Sequence, residues 1–235
     1  MKLIIFSDIH GNSYALNQFF KQIEKEEYDY LVFCGDIFGY YYNQKEIITQ
    51  LRNMKKLIWL KGNHDDNFVK LYKGLMEESI LIQNYGHSYY NVKNRFSNEE
   101  MEYIQALPSK YICESYGKKI GVFHGTPVDI LNGRLYPDNI IMNKDVFKNY
   151  DIVILGHTHC RMVRYLDDTM IVNPGSLGQP RDGKGYSYAI LDTNSYNVEF
   201  CNICFDKTAL YDQIDFYDKD LLKLKEVLER NEVKE

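Results

Sequence analysis

Apolar residues along this chain follow two different rhythms. Lys2 to Phe6 is a near-continuous apolar run, the pattern of a strand buried on both faces. It turns polar at Ser7-Asp8. Asn12 or Ser13 can cap a helix, and Leu16, Phe19, Phe20 and Ile23 then recur at helical spacing, which predicts a helix to about Lys25. Residues 30–34 repeat the strand pattern, residues 44–54 the helical one, and residues 57–60 the strand again. This β-α-β-α-β order predicts parallel pairing through right-handed crossovers.

Farther along, Ser97 with Glu100 forms a capping box ahead of Met101, Ile104 and Leu107, and Pro108 ends that helix. Residues 111–116 and 119–124 read as a hairpin about Gly117. Residues 138–149 are expected to be helical and residues 151–155 to form another buried strand. Short strands follow at 161–166, 169–173, 186–192 and 196–203. Residues 218–230 read as an amphipathic terminal helix through Leu221, Leu222, Leu224, Val227 and Leu228. The chain therefore begins α/β and ends β-rich, and two packed sheets with helices outside accommodate both halves. A length of 235 residues without repeats or linkers fits a single domain, 1–235.

The net charge of −5 argues against a general nucleic-acid binder, which would show a basic face. The N-terminal apolar run is too short for a signal peptide or a membrane span, and no later segment is long enough, so the expected location is cytoplasmic. The 5 cysteines are odd in number, and no disulfide framework is expected. Cys201 and Cys204 form a C-x-x-C, but it lacks the second half of a zinc site and lies in a strand-like segment, where positions three apart face opposite sides. The run Tyr40, Tyr41, Tyr42 is read as ordinary packing and His87 as a loop residue.

Chemistry-bearing residues collect just after the predicted strands. The motifs are Asp8-Ile9-His10-Gly11, Gly35-Asp36, Gly62-Asn63-His64-Asp65, His124-Gly125 and Gly156-His157-Thr158-His159. In open α/β sheets functional groups gather beyond the carboxyl ends of strands, and the neighbouring glycines permit sharp turns. Asp8, His10, Asp36, Asn63, His124, His157 and His159 supply two carboxylates, one amide oxygen and four imidazoles. A single ion would leave donors unused, whereas two ions sharing Asp36 would use them all. Mixed nitrogen and oxygen donors suit Mn, Fe, Zn, Co or Ni better than Mg or Ca. Such a pair sits roughly 3.5–4 Å apart and activates a water near neutral pH.

The ordered set D-x-H, G-D, G-N-H-D, H-G and G-H-T-H resembles the calcineurin-like metallophosphoesterase superfamily, most of all its small single-domain phosphodiesterases of the YfcE type. The likeness runs from Lys2 to about Asp192. Val172-Asn173-Pro174-Gly175-Ser176 and Gly178-Gln179-Pro180-Arg181 are similar to the family's last loop. The resemblance implies a four-layer α/β/β/α sandwich of two packed mixed sheets, with a dinuclear metal site at the strand C-terminal ends. It implies that Asp8, His10, Asp36 and His159 hold one ion and Asp36, Asn63, His124 and His157 the other, with Mn the first expectation. His64 would be catalytic, contacting the phosphate and protonating or hydrogen-bonding the leaving oxygen, and Asp65 would orient it. Asn63, His64 and Arg181 would bind substrate. Asn173 is a further candidate contact, and a salt bridge is the competing role for Arg181. The implied activity is hydrolysis of a small phosphate diester or monoester by a metal-bridging hydroxide, and within that class a nuclease or a protein phosphatase stays open. The sequence itself shows no membrane segment and no strong nucleic-acid signal. The alternative is a non-catalytic scaffold of the same fold that binds protein partners, and the complete ligand set disfavours it. Assembly into a homo-oligomer is left open.

Overall fold

Strand β1 (Lys2–Phe6) divides its side chains by parity: Ile4 and Phe6 enter one apolar cluster, Leu3 and Ile5 another. A strand with two apolar faces needs a layer on each side. The computed structural model, which describes residues 1–141 and 143–230, supplies both. After β1 come α1 (Ser13–Ile23), β2 (Tyr30–Phe33), α2 (Gln44–Arg52), β3 (Leu57–Trp59), α3 (Asn63–Tyr72), α4 (Glu78–Tyr85), α5 (Ser88–Val92) and α6 (Asn98–Ala106). The second half holds β4 (Lys110–Ser115), β5 (Lys118–Phe123), α7 (Lys144–Phe147), β6 (Ile152–Ile154), β7 (Arg161–Leu166), β8 (Thr169–Pro174), β9 (Tyr186–Asp192), β10 (Asn197–Ile203), α8 (Thr208–Asp218) and α9 (Lys223–Arg230).

The strands form two five-stranded mixed sheets, ordered β10-β9-β1-β2-β3 and β4-β5-β6-β8-β7. In the first, β1, β2 and β3 run parallel and β9 returns antiparallel beside β1. In the second, β5, β6 and β8 run parallel, flanked by antiparallel β4 and β7. Leu3, Ile5 and Val32 from one sheet meet Ile120, Val122, Ile152, Ile154 and Val172 from the other, forming the inner core. The opposite face of the first sheet packs Ile4, Phe6 and Phe33 against Leu16 and Phe19 of α1 and Ile47 and Ile48 of α2. The outer face of the second sheet, through Val153, Leu155 and Ile171, is covered by Leu135, Ile141 and Phe147. The expected α/β/β/α layering is present. No helix among the described residues is long and apolar enough to cross a membrane.

Two expectations are corrected. The helix expected over 138–149 is reduced to Lys144–Phe147, with residue 142 outside the described residues. Asn143 has φ 53°, a left-handed value that a continuous right-handed helix cannot contain, so a loop supplies most of the fourth layer. The terminal helix expected over 218–230 starts only at Lys223, as α9, because Asp218 closes the preceding helix α8. A turn after Asp218, whose carbonyl accepts from Leu221 N–H at 2.8 Å, lets Leu224 and Leu228 bury themselves while the Asp218 carboxylate faces inward. Helices α3, α4 and α5 form where the hydropathy pattern shows no clear stripe, and α4 buries a single residue, Leu81. The β4–β5 hairpin does turn at Tyr116-Gly117, both with positive φ (51° and 73°), as a tight two-residue hairpin requires.

Candidate metal centre

Every predicted ligand follows the carboxyl end of a parallel strand: Asp8 and His10 after β1, Asp36 after β2, Asn63 after β3, His124 after β5, and His157 and His159 after β6. The facing sheets bring these ends together. Three groups of side chains have donor atoms within 4.8 Å of one another: Asp8, His10 and His159; His10, Asp36 and His64; and Asp36, His124 and His157. The sharp turns that achieve this are strained. Asp8, His10, Asp36, His157 and His159 have φ between 49° and 70°, each costing about 1 kcal/mol or more for a side chain with a Cβ. Strain concentrated at one cluster of polar residues marks a functional constraint rather than a packing solution.

The donors are aimed as well as gathered. His10 Nδ1 lies 2.7 Å from the Phe38 carbonyl, His124 Nδ1 2.8 Å from that of Cys34, and His159 Nδ1 2.5 Å from that of Gln179. With Nδ1–H given to a carbonyl, the Nε2 lone pair of each ring is left for a cation, the usual outer support of a metal-binding imidazole. Asp8 receives His157 N–H on Oδ2 (3.1 Å), and Asp36 receives His64 N–H on Oδ1 (2.8 Å). Their other oxygens, Asp8 Oδ1 and Asp36 Oδ2, are fully buried without a hydrogen-bond partner among the described residues. A buried, unpartnered carboxylate oxygen is costly, and a bound cation removes that cost. Asp8 Oδ1 lies 3.3 Å from His159 Nε2 and 3.9 Å from His10 Nε2. Asp36 Oδ2 lies 3.2 Å from His124 Nε2 and 3.9 Å from His10 Nε2, so it stands between two donor sets. Asn63 Oδ1 is 2.9 Å from His124 Nε2. The residues present fit divalent ions.

Without a cation the protons are displaced from their usual positions. Burial pushes the Asp36 carboxyl up to about 7. Burial alone would lower His124, but the Asp36 carboxylate beside it dominates and raises it to about 9. Burial lowers His157 to about 3 and holds His10 and His64 well below the ordinary histidine range. Asp8 is lowered because the attraction of His159, His124 and His10 outweighs its burial. The cluster thus holds mostly neutral imidazoles, ready to ligate.

Around the ligands, other predicted residues take varied places. His64 is buried, its ring centroid 4.8 Å from that of His10. Asp65 does not orient it. Its Oδ1 accepts Ile37 N–H (2.7 Å) and Phe38 N–H (3.3 Å), and its Oδ2 accepts Asp36 N–H (3.0 Å) and Gly62 N–H (2.8 Å). Asp65 therefore fastens the loops after β2 and β3 to each other. Arg181 stands exposed at the rim, donating to the Tyr40 hydroxyl (3.0 Å) and Gln179 Oε1 (3.2 Å). Asn173 braces the loop that carries His157, donating to the Gly156 carbonyl at 2.7 Å and accepting from Gly175 N–H at 3.0 Å. Tyr41 and Tyr42 are core residues, whereas Tyr40 packs edge-on to His10 at 4.8 Å. His87 is a half-exposed loop residue that caps α5. Three site residues leave no pattern in the sequence: Tyr85 and Tyr89, whose rings pack against His64, and Arg134, whose Nε–H donates to His157 Nε2 at 3.2 Å. They arrive from segments that carry no strand-end motif.

Comparison with known proteins agrees with this geometry. The model of the calcineurin-like phosphoesterase superfamily domain matches residues 1–196. An uncharacterized protein of Methanocaldococcus jannaschii is 30% identical over 231 residues, covering 90% of this chain and 91% of the relative. A phosphodiesterase of the same organism is 24% identical over 179 residues, 74% of this chain and 83% of its own. The crystal structure of a metallophosphoesterase from Sphaerobacter thermophilus shares the fold with a TM-score of 0.79 at 24% identity, covering 98% of this chain and 99% of that one.

Proposed function

We propose, for a chain that belongs to the calcineurin-like phosphoesterase superfamily, that it is a metal-dependent hydrolase of small phosphate diesters or monoesters. The observation that carries this reading is the pair of buried, unpartnered oxygens, Asp8 Oδ1 and Asp36 Oδ2, set among imidazoles whose other nitrogens are already satisfied. In the proposed enzyme Asp8, His10, Asp36 and His159 hold one divalent ion, and Asp36, Asn63, His124 and His157 the other, with Mn the first ion to test. When bound, the ions supply Lewis-acid charge to the phosphate oxygens and lower the pKa of the attacking water. Two such ions against two carboxylates leave a local charge of about +2, which draws in an anionic ester.

The chain's own residues do the rest. Asp36 keeps the two donor sets in register because one carboxylate serves both. The inward strand ends and the buried floor exclude bulk water, which strengthens every charge contact at the centre. His64, neutral and buried, is placed to hydrogen-bond the leaving oxygen as its P–O bond breaks. Arg181 stands at the rim, where a guanidinium can meet a phosphate oxygen. The archaeal relative named a phosphodiesterase makes diesters the first substrates to try.

The test is metal analysis of purified protein joined to an activity screen. Mn-loaded protein should cleave bis-p-nitrophenyl phosphate, and His64→Ala and Asp36→Ala should abolish that cleavage. No turnover by the loaded protein on monoesters, diesters, cyclic nucleotides and dinucleotide polyphosphates would defeat the proposal. A non-catalytic scaffold would instead show chelator-insensitive partner binding without metal uptake.

A further inference from the structure

With the Asp65 carboxylate committed to main-chain amides, the ring of His64 is held from another direction. Its Nδ1 lies 2.8 Å from the hydroxyl of Tyr89, a fully buried residue on α5. The same hydroxyl lies 3.3 Å from the His64 carbonyl, a longer contact for its single proton. Tyr89 cannot drift, because its ring packs against Phe38 and Phe68 at centroid distances of 6.4 Å. Helix α5 is itself anchored. Asp218 Oδ2 accepts His87 N–H at 2.9 Å and the Tyr42 hydroxyl at 2.7 Å, and His87 Nδ1 is 2.7 Å from Asp218 Oδ1. On the near side Gly39, with φ 87°, keeps the space clear. A Cβ there would come 2.5 Å from His64 Nδ1 and 3.4 Å from the Tyr89 hydroxyl.

We propose that Tyr89 is the positioning residue for His64: its hydroxyl donates to Nδ1, fixes the ring plane and holds the tautomer that carries its proton on Nε2, facing the scissile ester. With Nδ1 occupied, Nε2 is the nitrogen left to serve the centre, where His64 has a donor atom within 4.8 Å of those of His10 and Asp36. A neutral ring with Nε2–H can donate to the leaving oxygen, whereas the other tautomer cannot. This inference rests on the hydrolytic reading for its catalytic meaning, but the contact itself can be tested without turnover.

The first test is histidine-ring 15N NMR on the metal-free full chain, with the His64 signals identified by their loss in His64→Gln. The expected spectrum shows Nδ1 unprotonated and Nε2 protonated, with the signals moving toward a tautomer mixture in Tyr89→Phe. A wild-type ring carrying Nδ1–H, or signals indifferent to Tyr89→Phe, overturns the proposal. The second test uses Mn-loaded enzyme and aryl phosphodiesters of graded leaving-group basicity. Tyr89→Phe should lower kcat about 10- to 100-fold on the most basic leaving group and less on p-nitrophenol, with KM within about twofold. Equal loss across the series, or none, overturns it. Mn uptake and the thermal midpoint of Tyr89→Phe report whether the fold survives; if it does not, the wild-type tautomer decides alone. An inactive wild type would defeat the hydrolytic reading, while the ring signals would still decide the Tyr89 contact.

Discussion

Asp36 Oδ2 and His124 Nε2 stand 3.2 Å apart, one following a strand of the first sheet and the other a strand of the second. The two sheets therefore meet at a charged joint as well as across an apolar core. Because the same carboxylate also lies 3.9 Å from His10, the joint links both donor sets.

Asp36→Asn keeps the shape of this joint and removes its charge. Loss of an outer support typically costs about 10- to 100-fold in metal affinity, so loss of a shared ligand should cost more than about 100-fold in affinity and in activity. Elemental analysis after gel filtration and steady-state kinetics check this. Full metal content with wild-type turnover would show that Asp36 bridges nothing.

The same pair predicts how the metal-free fold responds to pH. The folded values, about 7 for Asp36 and about 9 for His124, lie above the ordinary carboxyl and imidazole values of 3.8 and 6.5, so the native state holds protons that the unfolded chain releases. The stabilisation from His124 is whole below about 6.5 and is lost as pH rises through about 9, while the cost of ionising Asp36 accumulates up to about 7. His10, His64 and His157, lowered by burial, act in the opposite sense but only below about 6.5. The Tm of metal-free protein should therefore fall between about pH 7 and about pH 9, and metal loading near neutrality should release about one proton or more. Calorimetry in buffers of different ionisation enthalpy counts the protons, and a flat or rising Tm across that interval would contradict the assignment.

Asp65 supports the site by holding backbone. Its two oxygens serve four buried amides, those of Asp36, Ile37, Phe38 and Gly62. Asp65→Ala would leave these donors unsatisfied and should cost about 3–5 kcal/mol, read as a lower urea midpoint. A variant as stable as the wild type would mean that water satisfies the amides.

Gly62 allows the loop after β3 to touch the loop after β2. An added Cβ would collide with Asp36 Oδ1 and come 2.6 Å from Asp36 N. Gly62→Ala should fold with the carboxylate displaced, weakening metal binding by at least about 10-fold. Titration calorimetry against the wild type measures this, and equal affinities would exclude the contact.

The local pattern was most legible where it repeats. The apolar runs at β1, β2, β3 and β6 and the capping box at Ser97 and Glu100 could be read directly, because period and cap chemistry are properties of neighbouring residues. Helices α4 and α8 and the thin outer layer over β5, β6 and β8 could not, because these elements bury too few apolar side chains to leave a stripe. The Gly62-Asn63-His64-Asp65 motif carried two meanings at once, a helix start through Asp65 and, in Asn63, a candidate ligand that the fold sets 2.9 Å from His124 Nε2.

The sequence by itself determined the kinds of donor and their placement after strands, since strand ends, glycines and imidazoles are all visible in one dimension. Only the tertiary structure decided which atoms meet: that Tyr89 rather than Asp65 holds His64, that Arg134 reaches His157, and that Asp36 spans both sheets. Those contacts join residues far apart in the chain. Their geometry depends on how two sheets pack and how the turns between elements bend, which no local pattern encodes.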